Sequence, residues 1–189
     1  ADNAGVTGLH TGHMPLWAFR RQTELTRPGP RIRALVAGLA ADRADAIATC
    51  HALSAAVHAE VAYEIGRTDA TTPAEAALCA GHGVCQDHAH IFIAGARMLG
   101  IPARYVSGYL MMDGRIDQEA GHAWAEAHVD GLGWIGFDVA NGICPDARYV
   151  RVASGCDYAD AAPVTSMTWG QGNSELSVSL AVEQQMAPQ

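Results

Sequence analysis

The sequence predicts an α+β fold in which N-terminal helices pack on an antiparallel β-sheet. Apolar residues at helical spacing fall in the first half of the chain, with Ile47, Cys50, Leu53, Val57 and Val61 in one run and residues 89–99 in another. Beyond them the period changes to two, most clearly over residues 121–129, where large or polar side chains alternate with small apolar ones. Helices followed by strands, without regular alternation, place the two kinds of element in separate layers.

Each element follows from local signals. Residues 1–31 are punctuated by glycine and proline, end in Thr26, Arg27, Pro28, Gly29, Pro30 and Arg31, and read as an extended lead-in to a single domain over 32–189. The first helix carries the Ile47–Val61 periodicity and stops by Gly66. Thr72, Pro73, Ala74 and Glu75 have the form of a capping box with proline at the first helical position, so a short helix leads into the Gly81 loop. Cys85 then opens a helix that Gly100 and Pro102 close. A strand over 104–112, a turn at Asp113 and Gly114, and strands carrying His122 and Asp138 follow, the last two joined through Asp130, Gly131, Leu132 and Gly133. From Tyr149 the pattern stays β-like. Leu176, Val178, Leu180 and Val182 alternate as a final strand, and residues 183–189 read as a disordered tail.

Cys85, His122 and Asp138 occur in an order that prepares each for one role in nucleophilic catalysis. Cys85 follows the glycine-broken stretch Gly81, His82, Gly83, Val84, so it sits at a helix N-terminus, where unpaired N–H groups favour a thiolate. His122 shares one strand face with Trp124, Glu126 and His128. If His122 stands opposite Asp138, residues 128–132 form a five-residue hairpin loop, and the carboxylate holds one ring nitrogen while the other faces the thiol. Glu126 is a rival orienter, but a cross-strand carboxylate reaches the ring more easily than one further along the same strand.

The blocks Gly83-Val84-Cys85-Gln86-Asp87-His88-Ala89-His90, residues 99–109, Gly121-His122-Ala123-Trp124-Ala125-Glu126 and Gly133-Trp134-Ile135-Gly136-Phe137-Asp138 resemble bacterial transglutaminase-like proteins. The motif-bearing part covers about residues 60 to 142, and Val139-Ala140 stands where many relatives carry Pro-Thr. The resemblance implies a papain-like or transglutaminase-like core, with Cys85 as nucleophile, His122 as base and Asp138 as the acid that orients it. It further implies a thiol-dependent peptidase or amidase acting on a peptide or protein amide through a thioester acyl-enzyme. Acyl transfer to a primary amine is the alternative, and a non-catalytic peptide-binding domain is a third reading that the intact triad argues against. Such proteins commonly carry a preceding β-rich segment. With Ala1 rather than Met at the start, this suggests a C-terminal portion of something longer, with 1–31 at the junction.

Other readings are weaker. Trp124 reads as a core or cleft-wall aromatic and is the candidate substrate contact; with Tyr105, Tyr109 and Trp134 it either lines a peptide groove or fills the core. Cys79, His82, Cys85 and His88 have zinc-like composition and His90 lies just beyond, but steps of three spread them around a helix, so neither a metal nor another cofactor is expected. Lys and Arg number 12 against 20 Asp and Glu, a net charge of -8 at pH 7. That balance gives no basic footprint for nucleic acid or an anionic membrane. No apolar run reaches membrane-span length. Five cysteines form an odd set without the density of a disulfide scaffold, so the expected compartment is reducing and cytoplasmic. Substrate identity and oligomeric state leave no mark in the sequence.

Overall fold

The computed structural model describes residues 5–39, 45–111, 117–118, 121–163 and 180–181. In chain order the elements are β1 (Val6–Gly8), a 3-10 turn (Leu16–Arg20), α1 (Pro30–Ala37), α2 (Ala46–Glu60), β2 (Ala62–Tyr63), α3 (Ala74–Ala80), β3 (His82–Gly83), α4 (Cys85–Met98), β4 (Ala103–Leu110), β5 (Asp117–Gln118), β6 (His122–Val129), β7 (Gly133–Phe137), β8 (Tyr149–Gly155), α5 (Tyr158–Ala161) and β9 (Leu180–Ala181). The main sheet has the order β1-β7-β6-β4-β8, and all its pairs are antiparallel. Both edge strands, β1 and β8, line one cleft, so the sheet curls. The α+β expectation holds.

Helix α4 is the centre of the molecule. Its residues Asp87 to Arg97 are all buried, and it lies on the alanine face of β6, where Ala123, Ala125 and Ala127 leave room for a close approach. Phe92 stacks on Phe137 with ring centroids 5.0 Å apart. On its other side α4 meets α2 at Gly95, where a Cβ would stand 2.9 Å from the Leu53 side chain. Large-to-small changes in such packing cost about 3–5 kcal/mol for a phenylalanine.

Both ends of α4 are fastened. At the start, the Asp87 carboxylate accepts from the Val84 N–H at 2.8 Å and the Thr68 hydroxyl at 2.6 Å. In the last turn, Arg97 is 4% exposed. Its guanidinium donates to the carbonyls of Phe19 (3.0 Å), Ala103 (2.9 Å) and Cys156 (2.6 Å) and to the Thr26 hydroxyl (2.9 Å). No carboxylate accepts from it in these bonds, and burial draws its pKa down to about 10.

Several elements depart from the sequence reading. Residues 5–31 do not simply extend: β1 pairs with β7, and Phe19 and His10 pack on Trp134. Helix α1 was not expected, although Ile32, Leu35, Val36 and Leu39 recur at helical spacing and turn towards the core. Thr72 does not form the expected capping box. Pro73 is itself the cap of α3, Thr72 bonds Asp69, and Glu75 turns away to the N-terminus of α1. There its carboxylate accepts from the N–H groups of Gly29, Arg31 and Ile32 at 2.9, 2.7 and 3.1 Å, a cap supplied across more than forty residues. The β6–β7 hairpin is tighter than expected. Val129 pairs with Gly133, so the loop is Asp130, Gly131, Leu132, which Gly131 and Gly133 permit with φ of 83° and 90°. The strand expected over 104–112 ends at Leu110. The turn at Asp113 and Gly114 and the tail 183–189 lie outside the described residues. Of the final strand over 176–182, the described pair Leu180 and Ala181 forms β9 against β5.

Candidate active site

The loop into α4 sets the nucleophile's position. Gly81 ends α3 with φ 71°, and Gly83 passes so close to Asp87 that a Cβ there would lie 2.7 Å from its side chain. The parallel pair β2–β3 then brings Tyr63 beside Gly83. Cys85 is the first residue of α4, half-buried, with first-turn N–H groups that have no intrahelical acceptor. Its thiol lies close enough to the His122 imidazole and the Tyr63 hydroxyl to push the pKa of each upward.

His122 begins β6 opposite Gly108 of β4. A Cβ at Gly108 would lie 2.1 Å from the Val150 carbonyl and 2.6 Å from the Trp124 ring, so only glycine lets β8 and Trp124 close in behind the histidine. His122 Nε2 is 2.6 Å from Asp138 Oδ2, which leaves Nδ1 as the nitrogen for the thiol. Asp138 is not opposite His122 as the sequence reading supposed. Ala125 pairs with Phe137, so Asp138 lies one step past β7 and level with Trp124, and reaches the ring diagonally. The three-residue loop causes this two-residue offset.

A tight turn holds Asp138. Its backbone pairs with Ile143 in both directions, and the His58 ring of α2 donates to the Val139 carbonyl at 2.9 Å. The carboxylate is fully buried. Oδ2 accepts from His122, from Tyr149 Oη at 2.6 Å and from Asn141 Nδ2 at 2.7 Å, while Oδ1 accepts the Asn141 N–H at 3.2 Å. Burial pushes the carboxyl pKa up, but these donors and the charge of His122 outweigh it and hold it below the ordinary carboxylate value. For His122, burial pulls downward, yet hydrogen bonds to Asp138 and Cys85 prevail and its pKa is pushed up to about 9. The structure therefore joins Cys85, His122 and Asp138 in one chain of contacts.

The remaining candidates separate from that chain. Glu126 does not orient His122: fully buried, its Oε2 accepts from Arg104 at 2.7 Å and Arg151 at 2.9 Å. Trp124, the expected substrate contact, is 3% exposed and packs edge-on against Tyr149, with ring centroids 5.4 Å apart. Together with Glu126 and Arg151 it lines a cleft of about 400 Å³ between the sheet edges. The cysteine–histidine run does not converge either. Cys79 is exposed, His88 bonds the Val84 and Val61 carbonyls at 2.9 and 3.1 Å, and His90 accepts the Tyr158 N–H at 3.2 Å. Among the described residues no group of three or more metal-binding side chains gathers. Sequence reasoning missed Asn141 and Tyr149 as partners of Asp138. Asn141 stands three residues beyond the acid, a signal that was available; Tyr149 arrives from another strand.

A half-buried cysteine at a helix N-terminus, an imidazole on a neighbouring strand and a carboxylate on the ring's far nitrogen define the Cys-His-acid class of site. A profile of the transglutaminase-like superfamily matches residues 33–139, which include all three, and the chain belongs to that superfamily. It is 36% identical over 141 residues to an uncharacterized protein of Mycobacterium tuberculosis, covering 69% of this chain and 45% of the relative. A Mycobacterium leprae counterpart is 36% identical over 121 residues, covering 61% and 43%. The chain thus spans less than half the length of these relatives. Among solved structures it is similar to a protein described as a candidate cysteine protease from Cytophaga hutchinsonii, with a TM-score of 0.65 and 26% identity over 83% of this chain and 53% of that one. It is also similar to the periplasmic domain of TgpA from Pseudomonas aeruginosa, with a TM-score of 0.53 and 26% identity over 69% and 50%. These likenesses carry the fold and suggest thiol-dependent catalysis. Among the described residues no helix is long and apolar enough to cross a membrane.

Proposed function

We propose that the chain is a thiol-dependent amide hydrolase, a peptidase or amidase, with Cys85 as nucleophile, His122 as general base and acid, and Asp138 as the group that fixes the imidazole. The observation that carries this reading is the two-sided engagement of His122, with Asp138 on Nε2 and the Cys85 thiol at the other side of the ring. His122 takes the thiol proton and Cys85 Sγ attacks the amide carbonyl carbon, giving a tetrahedral oxyanion. The Cys85 N–H at the start of α4 is one donor to that oxygen, and the Tyr63 hydroxyl, which lies near the thiol, is the second. His122 then protonates the leaving amine, which departs and leaves a thioester. Water, deprotonated by His122, attacks the thioester, releasing the acid and returning the proton to sulfur.

Membership in the superfamily supports a second resolution of the same thioester, by a primary amine, which would give a new amide. The partner in either case is a peptide or protein amide, and nothing in the site calls for a cofactor. The odd set of five cysteines, without the density of a disulfide scaffold, supports a reducing compartment such as the cytoplasm. The test is mass spectrometry of peptide substrates incubated with the protein at saturating primary amine. Free-acid product that disappears in Cys85→Ala supports the hydrolase, dominant amine conjugate supports the transferase, and product unaffected by Cys85→Ala refutes both.

A further inference from the structure

Asp138 stands one residue past the end of β7, and its side chain reaches His122 on a diagonal. A carboxylate so placed has two equivalent oxygens and needs outside partners to fix which one faces the ring. Asn141 supplies two contacts from the same turn. The other comes from far along the chain, where Tyr149 opens β8 and its hydroxyl donates at 2.6 Å to the very oxygen that His122 uses. A bond this short between a hydroxyl and a carboxylate is of the charge-assisted kind.

We propose that Tyr149 is a positioning residue for the triad: it pins Asp138 Oδ2, so that the docking of β8 on β4 sets the aim of the imidazole. The proposal rests on the Cys85-His122-Asp138 reading and adds to it. Tyr149 is itself well held. Its backbone pairs with Leu110, its N–H donates to the Asp146 carbonyl at 3.1 Å, and its ring lies 5.4 Å from Trp124 and 5.9 Å from His122. Gly108 lets β8 come this close. Removing only the hydroxyl leaves these ring and backbone contacts in place.

The charged and titratable groups that face this cluster are few. His122 comes from β6, Cys85 from α4 through His122, and Tyr63 from β2, while Asp146 adds its charge on the Tyr149 side. His58 of α2 lies behind the turn on the Val139 carbonyl. Within that set burial favours a protonated Asp138 and the three donor residues oppose it. Losing the Tyr149 donor therefore raises the pH at which Asp138 takes up a proton. A hydrogen bond to a charged group corresponds to a shift of about one pH unit.

The experiment is the rate of Cys85 alkylation by iodoacetamide from pH 3.5 to 9, followed by peptide mapping, in the wild type, in His122→Ala, in Tyr149→Phe and with 3,5-difluorotyrosine at position 149. The expected result is an acid limb moved up by about one unit in Tyr149→Phe. It moves the opposite way with difluorotyrosine, whose hydroxyl is the stronger donor and whose shape is nearly unchanged. A hydroxyl that merely fills space would move neither limb. An acid limb that stays put in both proteins overturns the proposal while leaving the triad intact. A profile that His122→Ala also fails to change overturns the triad reading and this proposal with it.

Discussion

Replacing Asp138 by asparagine keeps the side chain's shape and removes its charge, and the four hydrogen bonds to the carboxylate let the cost be worked out. Oδ2 accepts three donors and Oδ1 one. An amide has one accepting oxygen, so its favoured orientation keeps the carbonyl on the crowded side and turns the NH2 against the Asn141 N–H. That single mismatch costs about 1–3 kcal/mol of stability. The larger effect falls on His122, whose pKa stands at about 9 against an ordinary 6.5. That gap corresponds to about 3 kcal/mol in favour of the imidazolium, net of a burial penalty that opposes it. Cys85 contributes to it as well and burial opposes both, so losing the carboxylate disfavours the protonated imidazole by at least about tenfold, and Cys85 alkylation slows by a similar factor. The assay is the second-order rate of Cys85 alkylation near pH 6.5, resolved from the other four thiols by peptide mapping, with circular dichroism to confirm folding. A variant that folds and alkylates at the wild-type rate from pH 4 to 9 would refute the role given to Asp138.

Three further outcomes are expected. Because the folded pKa of His122 is raised, its contribution to stability is fully present below pH 6.5 and is lost as pH rises through about 9; urea midpoints should fall across that window and flatten in His122→Gln. Glu126→Ala leaves Arg104 and Arg151 without their shared carboxylate; unfolding free energy should drop by about 3 kcal/mol while Cys85 reactivity per folded molecule stays unchanged, the reverse of what an orienting role for Glu126 would give. Glu75→Ala uncaps α1, losing about 1–2 kcal/mol in thermal or chemical denaturation. The Glu75 carboxyl is lowered below its ordinary value by three backbone N–H groups despite its partial burial, so this contribution exists above pH 4.5 and disappears as pH falls through the lowered value.

The residues of the candidate triad were legible because each sits in a local pattern that the chain prints directly: a glycine-broken helix start, an alternating strand, a strand-end aspartate. Their pairing was less so. The hairpin register turned on whether the loop held five residues or three, and only the left-handed conformations of Gly131 and Gly133 decide that. Tyr149 was invisible as a partner because cross-strand placement, not spacing, delivers it. The Thr72 motif misled for the same reason: a carboxylate three residues past a threonine is a local cap only when no better donors lie nearby, and α1 offered three. Glu126 shows the converse, since its strand face was read correctly while its two arginine partners lie on other strands.

The four-way hold on Arg97, set against Cys85 at the opposite end of the same helix, limits how the molecule can adapt. Sliding or rotating α4 would break bonds to the lead-in, to β4 and to the chain after β8 at once. The sulfur is therefore a fixed point rather than a group delivered by motion. On the proposed function, differences in substrate girth fall to the loops that border it, among them the one between β2 and α3, which Thr68 and Gln86 tie to the first turn of α4.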